Sequence, residues 1–147
     1  MPKLDLDALP EISRSGYLGD YKDAVAGRRW KALGQGLSDL GVNLVTLAPG
    51  AASSQRHWHT AEDELVYMLA GEAILIEDDG ETLLKPGDVA VWPKGVANGH
   101  QIVNRSHAEC VMLAIGTNVP DVDECHYPDI DQFYSAGTGF VRKSELG

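Results

Sequence analysis

Apolar and polar positions follow two textures along the chain. Over residues 1–38 they are mixed with charges, Pro10 and scattered glycines, and no stretch keeps a helical apolar period. From Val42 onward, short β-rich runs are broken by turn residues about every eight to twelve positions, the pattern of an all-β sandwich or barrel. The runs lie at 42–47, 54–59, 64–69, 73–78, 81–84, 88–92, 100–104 and 109–115, enough strands to close a small barrel. Their separators, Pro49-Gly50, Asp78-Asp79-Gly80, Pro86-Gly87, Pro93-Lys94-Gly95 and Asn104-Arg105-Ser106, favour tight turns, and Asp79-Gly80 reads as a hairpin. After Gly116 the regularity fades into an acidic segment with Pro120 and Pro128. The expectation is one all-β domain with an N-terminal arm over 1–38, a core over 39–116 and an irregular C-terminal arm over 117–147 folded back on that core.

A length of 147 residues, 44% of them hydrophobic and 23% charged, suits one packed domain. The net charge of −10, with no basic stripe, argues against nucleic acid and anionic membrane surfaces as partners. Cys110 and Cys125 fit no disulfide framework or zinc-ribbon spacing and read as free thiols. The first residues lack the apolar core of a secretory signal, and no run reaches the roughly 20 apolar residues of a membrane helix. A cytoplasmic location is expected. Arg28-Arg29-Trp30-Lys31 is either a partner-facing patch or a solvated strand with a packed indole, and the second reading is favoured.

The chemistry concentrates in Gln55-Arg56-His57-Trp58-His59 and the acids after it, Glu62, Asp63 and Glu64. On a strand, side chains at i and i+2 share a face with α-carbons about 6–7 Å apart, so two imidazoles can converge on one ion. Two histidines and a carboxylate form the facial set that holds Fe(II) and similar ions with positions left open. If residues 60–63 make the turn, Glu64 begins the returning strand and points inward, while Glu62 and Asp63 stay at the exposed tip. Glu64 is therefore preferred as the carboxylate.

The spacing Gly50, six residues, His57, one, His59, four, Glu64, six, Gly71 resembles the first motif of the cupin superfamily, small jelly-roll β-barrels with a metal inside. Gly87, five residues, Pro93, one, Gly95, then His100, three residues and Asn104 resemble the second. Both depart slightly from the usual pattern. Six residues rather than five precede His57, and four rather than two separate Gly95 from His100, which makes Asn98 a competitor for the fourth ligand. The spacing to Asn104 and the stronger affinity of imidazole for transition metals favour His100.

The resemblance implies a single jelly-roll barrel with His57, His59, Glu64 and His100 around one divalent transition-metal ion: Fe, Mn, Zn, Ni, Co or Cu. It further implies metal-dependent chemistry of dioxygenase, isomerase or lyase type on a small oxygenated molecule such as a sugar or keto acid. The alternative is a non-catalytic module that binds or senses a small ligand through the same metal. Strand parity adds Gln55 and Met68 as candidate cavity residues, with Trp92 at the barrel mouth, and places Tyr67 on the outer face. His107 and His126 read as loop residues, and Cys110 as a buried, inert thiol. A homodimer is expected, the N-terminal arm serving strand exchange or edge covering.

Overall fold

Every β-rich run carries strand backbone, though unequally. The computed structural model describes residues 3–147, so Met1 and Pro2 lie outside the described residues. The strands are β1 (Arg28–Ala32), β2 (Leu40–Leu47), β3 (Trp58–His59), β4 (Glu64–Ala70), β5 (Ala73–Glu77), β6 (Gly80–Leu84), β7 (Val89–Trp92), β8 (Gln101–Val103), β9 (Cys110–Thr117), β10 (Glu124–His126), β11 (Phe133–Ser135) and β12 (Gly139–Val141). The run 54–59 keeps strand pairing only at its end, in β3. The Asp79-Gly80 signal is met by the β5–β6 hairpin, in which Glu77 faces Gly80.

Pairing is antiparallel throughout, in three sheets ordered β1-β2-β9-β4-β7, β12-β11-β10-β3 and β6-β5-β8. The core lies between them. Leu47, Met68, Met112 and Cys110 are almost wholly buried, with Leu75, Leu84, Trp92 and Ile102 around them. Gly71, at the end of the first motif, has φ +72°, and a Cβ there would stand 2.6 Å from the Glu109 carbonyl oxygen. Only glycine lets the β4–β5 turn lie this close to β9.

The expected single jelly-roll β-barrel is corrected. The sheets do not close into one ring: at the junctions 51–57 and 100–103, contact shrinks to the isolated bridges Ala52↔Val103 and His57↔His100. The connecting segments carry Pro49, Gly50, Pro93, Gly95 and Gly99, whose turns and missing amides interrupt a continuous ladder. Three short 3-10 turns, Leu6–Ala8, Gly19–Val25 and Lys143–Glu145, accompany the strands.

The arms depart from expectation too. The N-terminal arm contains β1, which pairs with β2 of its own chain, and Ile12 bridges Trp30. The arm is engaged in its own sheet, covering the β2 edge rather than exchanging with a second copy, and nothing among the described residues supports the expected homodimer. The C-terminal arm is more regular than expected, since β10–β12 form a sheet with β3. Among the described residues no helix is long and apolar enough to cross a membrane, and that, rather than a cytoplasmic location, is what the structure supports.

Candidate metal centre

Three elements bring the cluster together. His57 and His100 exchange backbone hydrogen bonds across their isolated bridge, at 3.1 and 2.9 Å. His59 lies on β3 opposite Cys125 of β10, and Glu64 opens β4 between Trp92 of β7 and Gly116 of β9. The Glu64 carboxylate meets His100 Nε2 in a very close contact, His59 Nε2 at 3.1 Å and His57 Nε2 at 3.4 Å. Cis ligands of an ion with bonds of about 2.1 Å stand about 3 Å apart, and His57, Glu64 and His100 bring their ligand atoms within 4.8 Å of one another, whereas His59 converges with His57 and Cys125 and with Glu62 and Asp123.

The outer ring nitrogens fix which side faces inward. His57 Nδ1 lies 2.9 Å from the Gln55 carbonyl oxygen and 3.1 Å from Ser54 Oγ. His59 Nδ1 lies 2.6 Å from Asp123 Oδ2, and His100 Nδ1 3.2 Å from the Asn98 carbonyl oxygen. Carbonyl and carboxylate oxygens only accept, so each Nδ1 carries the proton, which leaves each Nε2 to present its lone pair to Glu64. Lone pairs facing a carboxylate repel one another unless a cation or a proton stands between them. The donor set therefore fits a divalent transition metal, with outer acceptors of the kind that orient metal-bound imidazoles.

Electrostatics carry the same message. Burial pushes the Glu64 carboxyl up, but the close approach of His100, His57 and His59 outweighs it and holds the group well below the ordinary carboxylate range. Burial pulls the His59 imidazole down, yet Glu64 and Asp123 raise it to about 9, so without an ion a proton takes the ion's place there.

The remaining expected residues are distributed unevenly. Trp92 lines the cavity and stacks on His100, with ring centres 3.9 Å apart and planes inclined by 6°, and its indole N–H donates to Glu77 Oε1 at 3.0 Å. Gln55 turns away, its amide donating to the Tyr21 carbonyl at 2.7 Å. Met68 is fully buried in the core. Asn98 is also elsewhere: its side-chain oxygen accepts from the Asp78 amide. Glu62, expected at an exposed tip, lines the cavity and accepts from the Val119 amide, and burial raises its pKa. Tyr67 is exposed and Cys110 buried.

Sequence reasoning missed the contribution of β10 and its flanks. Asp123, Cys125 and Tyr127 alternate along one extended stretch and all line the cavity, while His126 points the other way and stacks on Trp58. Period-2 alternation in Asp123-Glu124-Cys125-His126-Tyr127 was the available signal. Cys125 also groups with His57 and His59, although burial pushes its thiol up to about 12. The cavity measures about 570 Å³, room for a small metabolite.

The Cupin domain family matches residues 43–116. A sugar phosphate isomerase of the cupin superfamily from Silicibacter pomeroyi is 43% identical, with a TM-score of 0.91 over 98% of this chain and 94% of its own. A protein provisionally named a sugar phosphate isomerase, from Acidithiobacillus ferrooxidans, is 30% identical, with a TM-score of 0.73 over 82% of this chain and 79% of its own. A polyketide cyclase from Streptomyces resistomycificus, at 16% identity and a TM-score of 0.66 over 80% of this chain and 79% of its own, shares the fold alone. No curated protein matches the chain. With both motifs in order and these likenesses spanning most of its length, the chain belongs to the cupin superfamily.

Proposed function

We propose that this chain is a metal-dependent isomerase of small sugar phosphates, with His57, His59, Glu64 and His100 as the ligands of one divalent transition-metal ion. The observation that carries the reading is the 43% identity, over 98% of the chain, to a protein named a sugar phosphate isomerase. The inward Nε2 atoms and the Glu64 carboxylate supply the donor set such chemistry needs. Bound there, the ion would polarise a carbonyl or hydroxyl oxygen of the sugar as a Lewis acid.

The chain's own groups would do the rest. Ser54, Gln55, Asp123 and Asn98 hold the three imidazoles in one tautomer, so ligand geometry costs no reorganisation during turnover. Trp92 covers one face of His100 and keeps water from it. Burial raises both the Tyr17 and the Tyr127 phenol, so both stay protonated and can donate to substrate oxygens.

The test is incubation of protein loaded separately with Mn, Fe, Co, Ni and Zn with a panel of aldose and ketose phosphates in deuterium oxide. Aldose–ketose interconversion, followed by NMR and abolished by His59→Ala, is the expected result. Saturable binding without conversion of any sugar phosphate would replace this reading with that of a non-catalytic sensing module.

A further inference from the structure

The N-terminal strand puts a cation into the cavity that no acid among the described residues neutralises. In β1, residues 28, 30 and 32 share one face, and Arg28 and Trp30 both line the cavity, opposite Leu47 and Val45 of β2. Arg29, on the other face, pairs with Glu109 and Glu11. Arg56 and Arg105 likewise hold carboxylates, of Asp78 and Asp129 and of Glu81. Arg28 meets no carboxylate among the described residues: it donates from Nη1 to the Ser53 carbonyl at 2.8 Å and from Nη2 to the Arg14 carbonyl at 3.1 Å, neighbours the Tyr17 side chain, and holds its guanidinium 4.8 Å from the centre of the Trp30 ring.

Two carbonyl partners use two of the five N–H groups of a guanidinium. The Nε–H is buried and has no acceptor at all, a deficit that native interiors rarely leave. Burial also lowers the Arg28 pKa, the sign of a charge lacking a counter-ion. The cluster is close by: Ser53, which accepts from Arg28, is followed by Ser54, whose hydroxyl supports His57.

We propose that Arg28 is the anion-holding residue of this cavity, its guanidinium taking the phosphate of a small phosphorylated substrate while the substrate's oxygenated carbons reach the imidazole and carboxylate cluster. The inference rests on the sugar phosphate reading and adds a residue outside the segment matched by the family, which begins at residue 43. A phosphate in the cavity would supply the missing negative charge, received by the planar fork that suits arginine to it.

The experiment is calorimetric titration of inorganic phosphate into metal-loaded wild type, Arg28→Gln and Arg28→Lys at constant ionic strength, with metal content measured on each. Loss of a charge-assisted hydrogen bond predicts phosphate binding weakened about ten- to a hundred-fold in Arg28→Gln, partly recovered in Arg28→Lys, with metal content unchanged. Equal phosphate affinity in wild type and Arg28→Gln, or no phosphate binding by wild type, would overturn it. Because Arg28 also ties down two carbonyls, wild-type protein gives a second readout. Phosphate should slow modification of Arg28 by phenylglyoxal, followed by mass spectrometry, and an unchanged rate contradicts the proposal. Arg28-dependent phosphate binding without turnover of any sugar phosphate would leave this inference standing and remove the isomerase reading; turnover indifferent to Arg28 would do the reverse.

Discussion

Asp123 holds His59 through the ring nitrogen opposite Glu64, and its other oxygen accepts from the Ala61 amide, so the carboxylate is itself fixed in place. Asp123→Asn keeps the shape and an acceptor for Ala61 but removes the charge that aligns the imidazole. Metal affinity should fall about ten- to a hundred-fold, measured by competition with a chromophoric chelator, with the fold unchanged. An unaltered affinity would mean that Asp123 serves only the β3–β10 contact. At this scale the cluster was legible where chemistry and spacing coincide: H-x-H places two imidazoles on one face, and Glu64 follows at the start of the returning strand. Asp123 and Cys125 were not legible as cavity residues, because they approach His59 from more than sixty positions away through pairing alone. Gln55 shows the limit of parity: residues 54–56 lack strand backbone, so alternation does not carry back from His59 and the amide turns to Tyr21.

Among the elements, β10 and β11 add Cys125 and Tyr134 to the cavity wall, and one arginine helps to hold the segment joining them. Arg56, mostly buried, donates to both Asp129 oxygens at 2.8 Å, to the Gly99 carbonyl at 3.0 Å, and to Asp78. Its hydrogen bonds hold the Asp129 carboxyl below its ordinary value. A carboxyl depressed in the folded state contributes stability above its unfolded pKa, about 3.9, and that contribution is lost as pH falls through the lower folded value. Amide protection of 124–141 should therefore decline on acidification below about pH 4, and Asp129→Asn should remove this acid-sensitive component; identical profiles would assign the acid lability elsewhere. Gly71 makes a separate case. With φ +72° and the Glu109 carbonyl 2.6 Å from an added Cβ, Gly71→Ala should cost about 1–3 kcal/mol in urea unfolding, whereas a neutral result would show that the turn relaxes freely. The strands from β2 to β9 were readable from alternation and turn chemistry. β1 was readable as a strand with a packed indole at 28–31, whereas β10 to β12 were not, since each is only three residues long and owes its extended form to its neighbours.

For the whole molecule, three sheets leave between them a cavity whose wall draws on every region: Tyr17 and Arg28 from the N-terminal arm, the histidines and Glu64 from the segment of family likeness, Asp123 and Tyr127 from the C-terminal arm. Hydropathy patterning announced a β domain but not its division, because whether strands close a ring depends on hydrogen bonds at the turn-rich junctions rather than on apolar period. Where the ladder gives way to the single His57↔His100 bridge, a shared ion would join residues from both sides of the junction. Everything proposed for the cavity depends on that ion. Elemental analysis of protein purified without an affinity tag, beside the His57→Ala, His59→Ala double variant, tests it most directly. Wild-type protein should carry about one transition-metal ion per chain, held by His57, His59, Glu64 and His100, and the variant almost none. Wild-type protein without bound metal, or a variant retaining the wild-type content, would contradict it.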